Sequence, residues 1–169
     1  MSFILNIDSS LEDASVSISR NGEIVTLAAN TVQREHASFL HAAIKTSLDK
    51  INLQTNHLDA ISVTVGPGSY TGLRVGLATA KGLCYALQKP LITVGTLEAM
   101  AFTAMKEKKE SKDFLFCPLI DARRSEVFTA SYDADMMELT PPHALLLNSL
   151  SSFEAELNLK KTYGRAAFR

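Results

Sequence analysis

With 169 residues, 46% of them hydrophobic and 21% charged, the chain is long enough for one domain or two small ones and has the make-up of an ordinary globular protein. Its 17 basic and 18 acidic residues leave a net charge of −1 with no long basic stripe, which argues against a protein that grips nucleic acid unaided. No apolar stretch approaches the roughly 20 residues of a membrane span, the opening residues lack the basic n-region of a signal peptide, and Cys84 and Cys117, without a C-x-x-C, read as reduced core thiols of a cytosolic protein.

Phe3 to Ile7 is a short apolar strand that ends at Asp8, and Ser9 to Asp13 is a turn. Ala14 to Ser19 alternates Val16 and Ile18 with serines, a strand with one buried face. Asn21-Gly22 is a strong hairpin signal, so Glu23 to Ala29 completes a three-strand meander. A helix follows over Gln33 to Lys50, with Ala37, Leu40, Ile44, Leu48 and Ile51 on one face.

The stretch from Ile61 to Leu87 carries the most information. Ile61, Val63 and Val65 form a buried strand, Gly66-Pro67-Gly68 breaks it, and Ser69 or Thr71 caps a second helix. Leu73, Leu77, Ala80, Leu83 (or Cys84) and Leu87 give that helix an apolar face. Gly72, Gly76 and Ala80 recur every four residues and form one ridge, although each interior Gly costs roughly 1 kcal/mol against Ala. Such a ridge implies that another backbone comes close, a partner's or, in the other reading of Gly76, the protein's own sheet. The loop before it reads as a tight turn into a closely packed helix in preference to a backbone cradle for phosphate. The glycine spacing is one residue too long for a dinucleotide fingerprint, and Thr71-Gly72-Leu73 does not supply the Gly-Lys-Ser/Thr of a Walker A loop.

Pro90 ends the second helix, Leu91 to Val94 is a short strand, and Thr96 opens a third helix with Leu97, Met100, Ala101, Ala104 and Met105 apolar. Lys106 to Asp113 has no apolar residue and reads as a frayed helix end plus a solvated linker. The pattern then begins again: Phe114 to Ile120 is apolar and ends at Asp121, Ala122 to Glu126 is a turn, and Val127 to Tyr132 is a strand. Strand, Asp, polar turn, strand is a faint internal repeat. Ala144 to Leu147 is a further strand, Ser151-Ser-Phe-Glu154 a capping box, and Thr162-Tyr-Gly164 the start of a last strand. The order β-β-β-α-β-α-β-α places the chain in the α/β class with a ribonuclease-H-like, actin-like ATPase fold. Its two duplicated halves are a first domain over 1–108 and a second, reduced or truncated, over 114–169.

Four stretches together resemble the bacterial TsaB (YeaZ) proteins: Gly66-Pro-Gly-Ser-Tyr-Thr-Gly-Leu-Arg-Val-Gly76, Ile7-Asp8-Ser9-Ser10, Arg34-Glu35-His36, and Ile120-Asp121-Ala122-Arg123 with Glu126-Val127. The resemblance covers about residues 3 to 132. It implies a non-catalytic paralogue of TsaD, the subunit that moves a threonylcarbamoyl group onto adenosine 37 of tRNAs reading codons that begin with A. It also implies pairing with TsaD through the two N-terminal helices, a TsaE-like ATPase joining the pair, and contact with tRNA only indirectly. TsaD-type catalysts hold a metal with a His-x-x-x-His pair at the start of the third helix; here that stretch is Gly95-Thr-Leu-Glu-Ala-Met-Ala101. His36 and His41 are five apart, about 500° of helical rotation, and so lie on different faces. No metal, no cofactor and no catalytic residue is expected.

Arg34, His36, Phe39, Ala43, Gly72, Val75, Gly76, Thr79, Ala80 and Lys81 are the expected partner interface, and in isolation the same surface is expected to make a homodimer. Asp8, Ser10 and Asp121 are the expected remnant of a nucleotide site; the other reading of the two aspartates is that they accept turn N–H groups at strand ends. The rival functions are an autonomous small-molecule kinase or ATPase of the actin-type superfamily, which would bind Mg-ATP alone, and a metal-dependent glycopeptidase, which would bind a stoichiometric metal.

Overall fold

The computed structural model describes residues 1–31, 36–107, 114–147 and 165–167. β1 (Phe3–Asp8) buries Leu5 and Ile7 on one face and keeps Ile4 and Asn6 half-buried on the other. It pairs antiparallel with β2 (Ala14–Arg20), whose Ala14, Val16 and Ile18 share the buried face, and β2 pairs with β3 (Glu23–Asn30). At the β2–β3 turn Asn21 and Gly22 both have positive φ, 51° and 88°, the conformation that matches the twist of the flanking strands.

α1 (His36–Lys50) buries Leu40, Ala43, Ile44, Ser47 and Leu48. Ala37, expected on this face, is exposed, and residues 33–35, expected in the first turn, lie outside the described residues. A 3-10 turn (Thr55–His57) leads to β4 (Ala60–Thr64), which pairs parallel with β1. α2 (Tyr70–Leu87) then crosses to β5 (Leu91–Val94), parallel to β4. The helix stops because Gln88 takes the left-handed conformation at φ 52°, with Pro90 two residues on. The sheet order is β3-β2-β1-β4-β5, an antiparallel meander extended by parallel strands that are each reached through a helix. This is the ribonuclease-H-like arrangement. Leu5, Ile7, Val16, Ile18, Ile61 and Val63 meet Leu40, Ile44, Leu48 and Ala80 in one core, where each fully buried Leu or Ile contributes about 1.5–3 kcal/mol.

The second unit holds α3 (Thr96–Glu107), β6 (Phe114–Phe116), β7 (Leu119–Arg123), β8 (Glu126–Tyr132), β9 (Glu138–Leu146) and β10 (Arg165–Ala167). β7, β8 and β9 form a second antiparallel meander, and β10 lies parallel to β6. The run Phe114 to Ile120, expected as one strand, is broken into β6 and β7 at Cys117-Pro118, because Pro118 has no N–H for a ladder. β9 begins six residues before the expected strand at Ala144. It runs through Pro141 and Pro142, which the outer strand of a sheet tolerates. The expected capping box at 151–154 and the strand start at 162–164 lie outside the described residues, as does 108–113 of the expected linker.

The compact units are Met1–Gly95 and Thr96–Arg169. The third helix, expected in a first domain ending at 108, belongs instead with the second sheet, because Leu97 and Ala101 bury with Phe116, Ile120, Ala130 and Tyr132. Among the described residues no helix is long and apolar enough to cross a membrane.

Candidate functional site

The glycine loop after β4 is closed by the turn after β1. Ser69 caps α2, its hydroxyl accepting from Gly72 N at 3.4 Å, and Ser69 N donates to Ser10 O at 2.7 Å. Gly68, at φ 156°, stands where a Cβ would run into the Ser10 carbonyl, and a Cβ on Gly72 would run into the Ser9 carbonyl. The Ser9 hydroxyl is buried and donates to Gly72 O at 2.8 Å. One helical turn further, a Cβ on Gly76 would meet that same hydroxyl. The backbone that the glycine ridge was expected to admit is therefore the chain's own Ser9-Ser10.

Asp8 ends β1, and Asp121 stands within β7, two residues before its end. Asp8 Oδ1 accepts from Ser10 N at 3.0 Å, from the Ser10 hydroxyl at 2.7 Å and from the Thr64 hydroxyl at 2.7 Å. Asp121 Oδ1 accepts from Arg123 N at 2.7 Å. Each carboxylate thus holds the N–H two residues on, the local turn that Asp side chains favour. Among the described residues no three His, Cys, Asp or Glu side chains come together to hold a metal ion.

α1 and α2 lie side by side on the first sheet and leave an open groove of about 890 Å³ between them, lined by His41, Lys45, Leu48, Asp49, Thr79 and Gly82 among others. Beside it, the outermost side of α2 carries Tyr70, Arg74, Lys81 and Tyr85, which fall within about 60° of one another around the helix and opposite the glycine ridge. Tyr70 is 73% exposed and Tyr85 83%. The Arg74 guanidinium carbon stands 5.4 Å from the Tyr70 ring centroid, and Nη1 donates to the Tyr70 hydroxyl at 3.3 Å. α2 contains no acidic residue, so this side is aromatic and positive.

Comparison with known proteins places this geometry. The family model of TsaD, tRNA N6-adenosine threonylcarbamoyltransferase, matches residues 27–165. The tRNA threonylcarbamoyladenosine biosynthesis protein TsaB of Bacillus subtilis is 31% identical over 129 residues, covering 76% of this chain and 54% of that protein. The structure of YeaZ from Pseudomonas aeruginosa superposes with a TM-score of 0.76 at 29% identity, over 85% of this chain and 67% of that one. The chain belongs to the TsaB (YeaZ) family, within the wider TsaD family. A tRNA N6-adenosine threonylcarbamoyltransferase of Prosthecochloris aestuarii matches at 31% identity over 60% of this chain and 33% of its own length. The chain spans about half the length of the TsaB relatives it matches.

In this TsaB-family chain the expected interface needs correction. Gly72, Gly76 and Ala80 are buried, with Ala80 at 0% exposure, so the ridge packs on the protein's own sheet and offers no surface to a partner. Ala43 is also core, at 5% exposure, because α1 turns it toward the strands beside Leu40 and Ile44. Phe39, Val75 and Thr79 are half-buried, Phe39 and Val75 against the core and Thr79 in the groove, while Lys81 is exposed. Arg34 and the side chain of His36 lie outside the described residues. Tyr70, Arg74 and Tyr85 were missed. The signal was present: once glycines mark the inward side of a helix, the residues half a turn away face out.

Proposed function

We propose that this chain is a scaffold subunit of the machinery that makes threonylcarbamoyladenosine in tRNA, without a catalytic centre of its own. It docks a TsaD-type catalytic subunit on the outward side of α1 and α2. A TsaE-type ATPase joins that pair, and without the partner the same side pairs with a second copy of the chain. The observation that carries this reading is family membership combined with a glycine loop filled by the chain's own backbone. Gly68 and Gly72 are in contact with Ser10 and Ser9, and Asp8 already holds three internal donors, which supports packing in place of phosphate binding. The outward side supports docking: exposed tyrosines next to an apolar-floored groove are the kind of anchors that dominate protein interfaces.

Isothermal titration calorimetry of the full-length protein with its TsaD-type subunit tests this. Saturable binding is expected, weakened about tenfold or more by Tyr85→Ala at unchanged melting temperature. Binding of Mg-ATP to the chain alone, lost in Asp8→Ala, would instead make it a kinase or ATPase of the actin type.

A further inference from the structure

The β7–β8 turn in the second unit has a conformation that its residues do not favour. Arg123, Arg124 and Ser125 are consecutive and all have positive φ, 67°, 54° and 60°. Non-glycine residues visit this region singly, and a cost of roughly 1–2 kcal/mol attaches to each. The turn is nevertheless held from both sides. Asp121 Oδ1 takes the Arg123 N–H at 2.7 Å, and Ser125 O accepts from Leu147 N, beyond the end of β9, at 2.7 Å. Glycine or asparagine would adopt this backbone with less strain. The side chains that stand there are two long cations, both exposed, and neither guanidinium has an ion pair or hydrogen bond among the described residues. Among the described residues the two side chains thus make no bond that would offset the strain, while hydrogen bonds at both ends of the turn hold the backbone that carries them.

We propose that Arg123 and Arg124 form a contact for the phosphate backbone of RNA. A guanidinium is a planar fork of donors that fits a phosphate bidentately and stays charged at every working pH. Two of them on a turn whose backbone is hydrogen-bonded at both ends lose side-chain freedom on binding but little backbone freedom. The choice of RNA over another polyanion rests on the function proposed above. With a net charge of −1 the chain's own hold on RNA is weak, and this tip supplies most of it.

The test is fluorescence anisotropy of a labelled, unmodified tRNA transcript titrated with the full-length protein between about 50 and 200 mM salt, with the TsaD-type titration run in parallel. Arg123→Gln/Arg124→Gln is expected to weaken RNA binding at least tenfold and to flatten the slope of log affinity against log salt by about 2, one for each phosphate lost. Arg20→Gln, which removes an exposed arginine from the other unit, leaves both unchanged. Arg124→Gly removes a guanidinium while easing the backbone, so it is expected to melt no lower than the parent and still to lose affinity. An unchanged affinity and slope in the double Gln variant would overturn the proposal, and so would an absence of RNA binding by the parent. Loss of the TsaD-type subunit with RNA binding intact would also overturn it, because the tip would then face protein acids. Should the subunit fail to bind while the Gln variant loses RNA, the scaffold reading falls and the RNA contact stands.

Discussion

Ser9 is the residue on which the glycine segment closes. Its hydroxyl lies between Gly72 O and the open side of Gly76, so an added methyl at 76 and the hydroxyl at 9 compete for one space. Gly76→Ala is expected to destabilise by about 1–3 kcal/mol, as overpacking does. Ser9→Ala is expected to cost about 0.5–1.5 kcal/mol by removing a buried hydrogen bond to Gly72 O, which keeps its helical N–H partner. The remaining neighbours of a Cβ at 76, Val63 Cγ2 at 3.6 Å and Ile7 Cγ2 at 3.7 Å, are ordinary contacts. The double variant should therefore be more stable than the sum of the single ones predicts, by about 1 kcal/mol in a urea-denaturation cycle. Additive losses would mean that the hydroxyl does not occupy that space. Gly82 is the counter-case: nothing lies within 4 Å of a Cβ there, so Gly82→Ala should raise stability by roughly the 1 kcal/mol of helix propensity.

At the scale of the element, α2 is a helix whose inward side is made of its smallest residues. Its leucines flank the contact, with Leu77, Leu83 and Leu87 only partly buried. Periodicity located the helix, its cap and its end, because Ser69, the leucine spacing and Pro90 are local signals. It did not reveal which side faced in, since an apolar stripe and a glycine ridge both look like contact surfaces. Only the position of Ser9, more than 60 residues earlier in the chain, decides between them. The same limit affected Ala43, which is small enough to be core or surface until the strands below α1 are placed. For docking, Ala78→Arg is a second probe beside Tyr85→Ala. It lines the groove and is exposed, so it should weaken the TsaD-type subunit and spare the melting temperature.

At the scale of the molecule, the two halves repeat one plan. Asp8 closes β1 and Asp121 stands two residues before the end of β7, each with a carboxylate on the N–H two residues on, and β10 lies parallel beside β6 as β4 lies beside β1. The faint repeat in the sequence was readable because an Asp that takes the N–H two residues on leaves a local mark. The division of the chain was not, because α3 carries apolar residues that suit either sheet. Each unit holds its own core cluster, Leu5 to Ala80 in the first and Leu97 to Tyr132 in the second. Residues 1–95 expressed alone should accordingly unfold in one cooperative urea transition followed equally by circular dichroism and fluorescence. Non-coincident transitions would show that the first core needs the second unit.

The placement of β1 also has a consequence for biosynthesis. Its one flank is satisfied by β2 as soon as the hairpin emerges, but its other flank must wait for Ala60–Thr64. At about 5–20 residues per second, the ribosome takes seconds to cover the intervening chain. During that interval a row of unpaired amides and carbonyls lies open to a strand from any nascent neighbour. The synthesis of the stretch between β3 and β4 is thus the interval in which β1 is most open to pairing with another nascent chain.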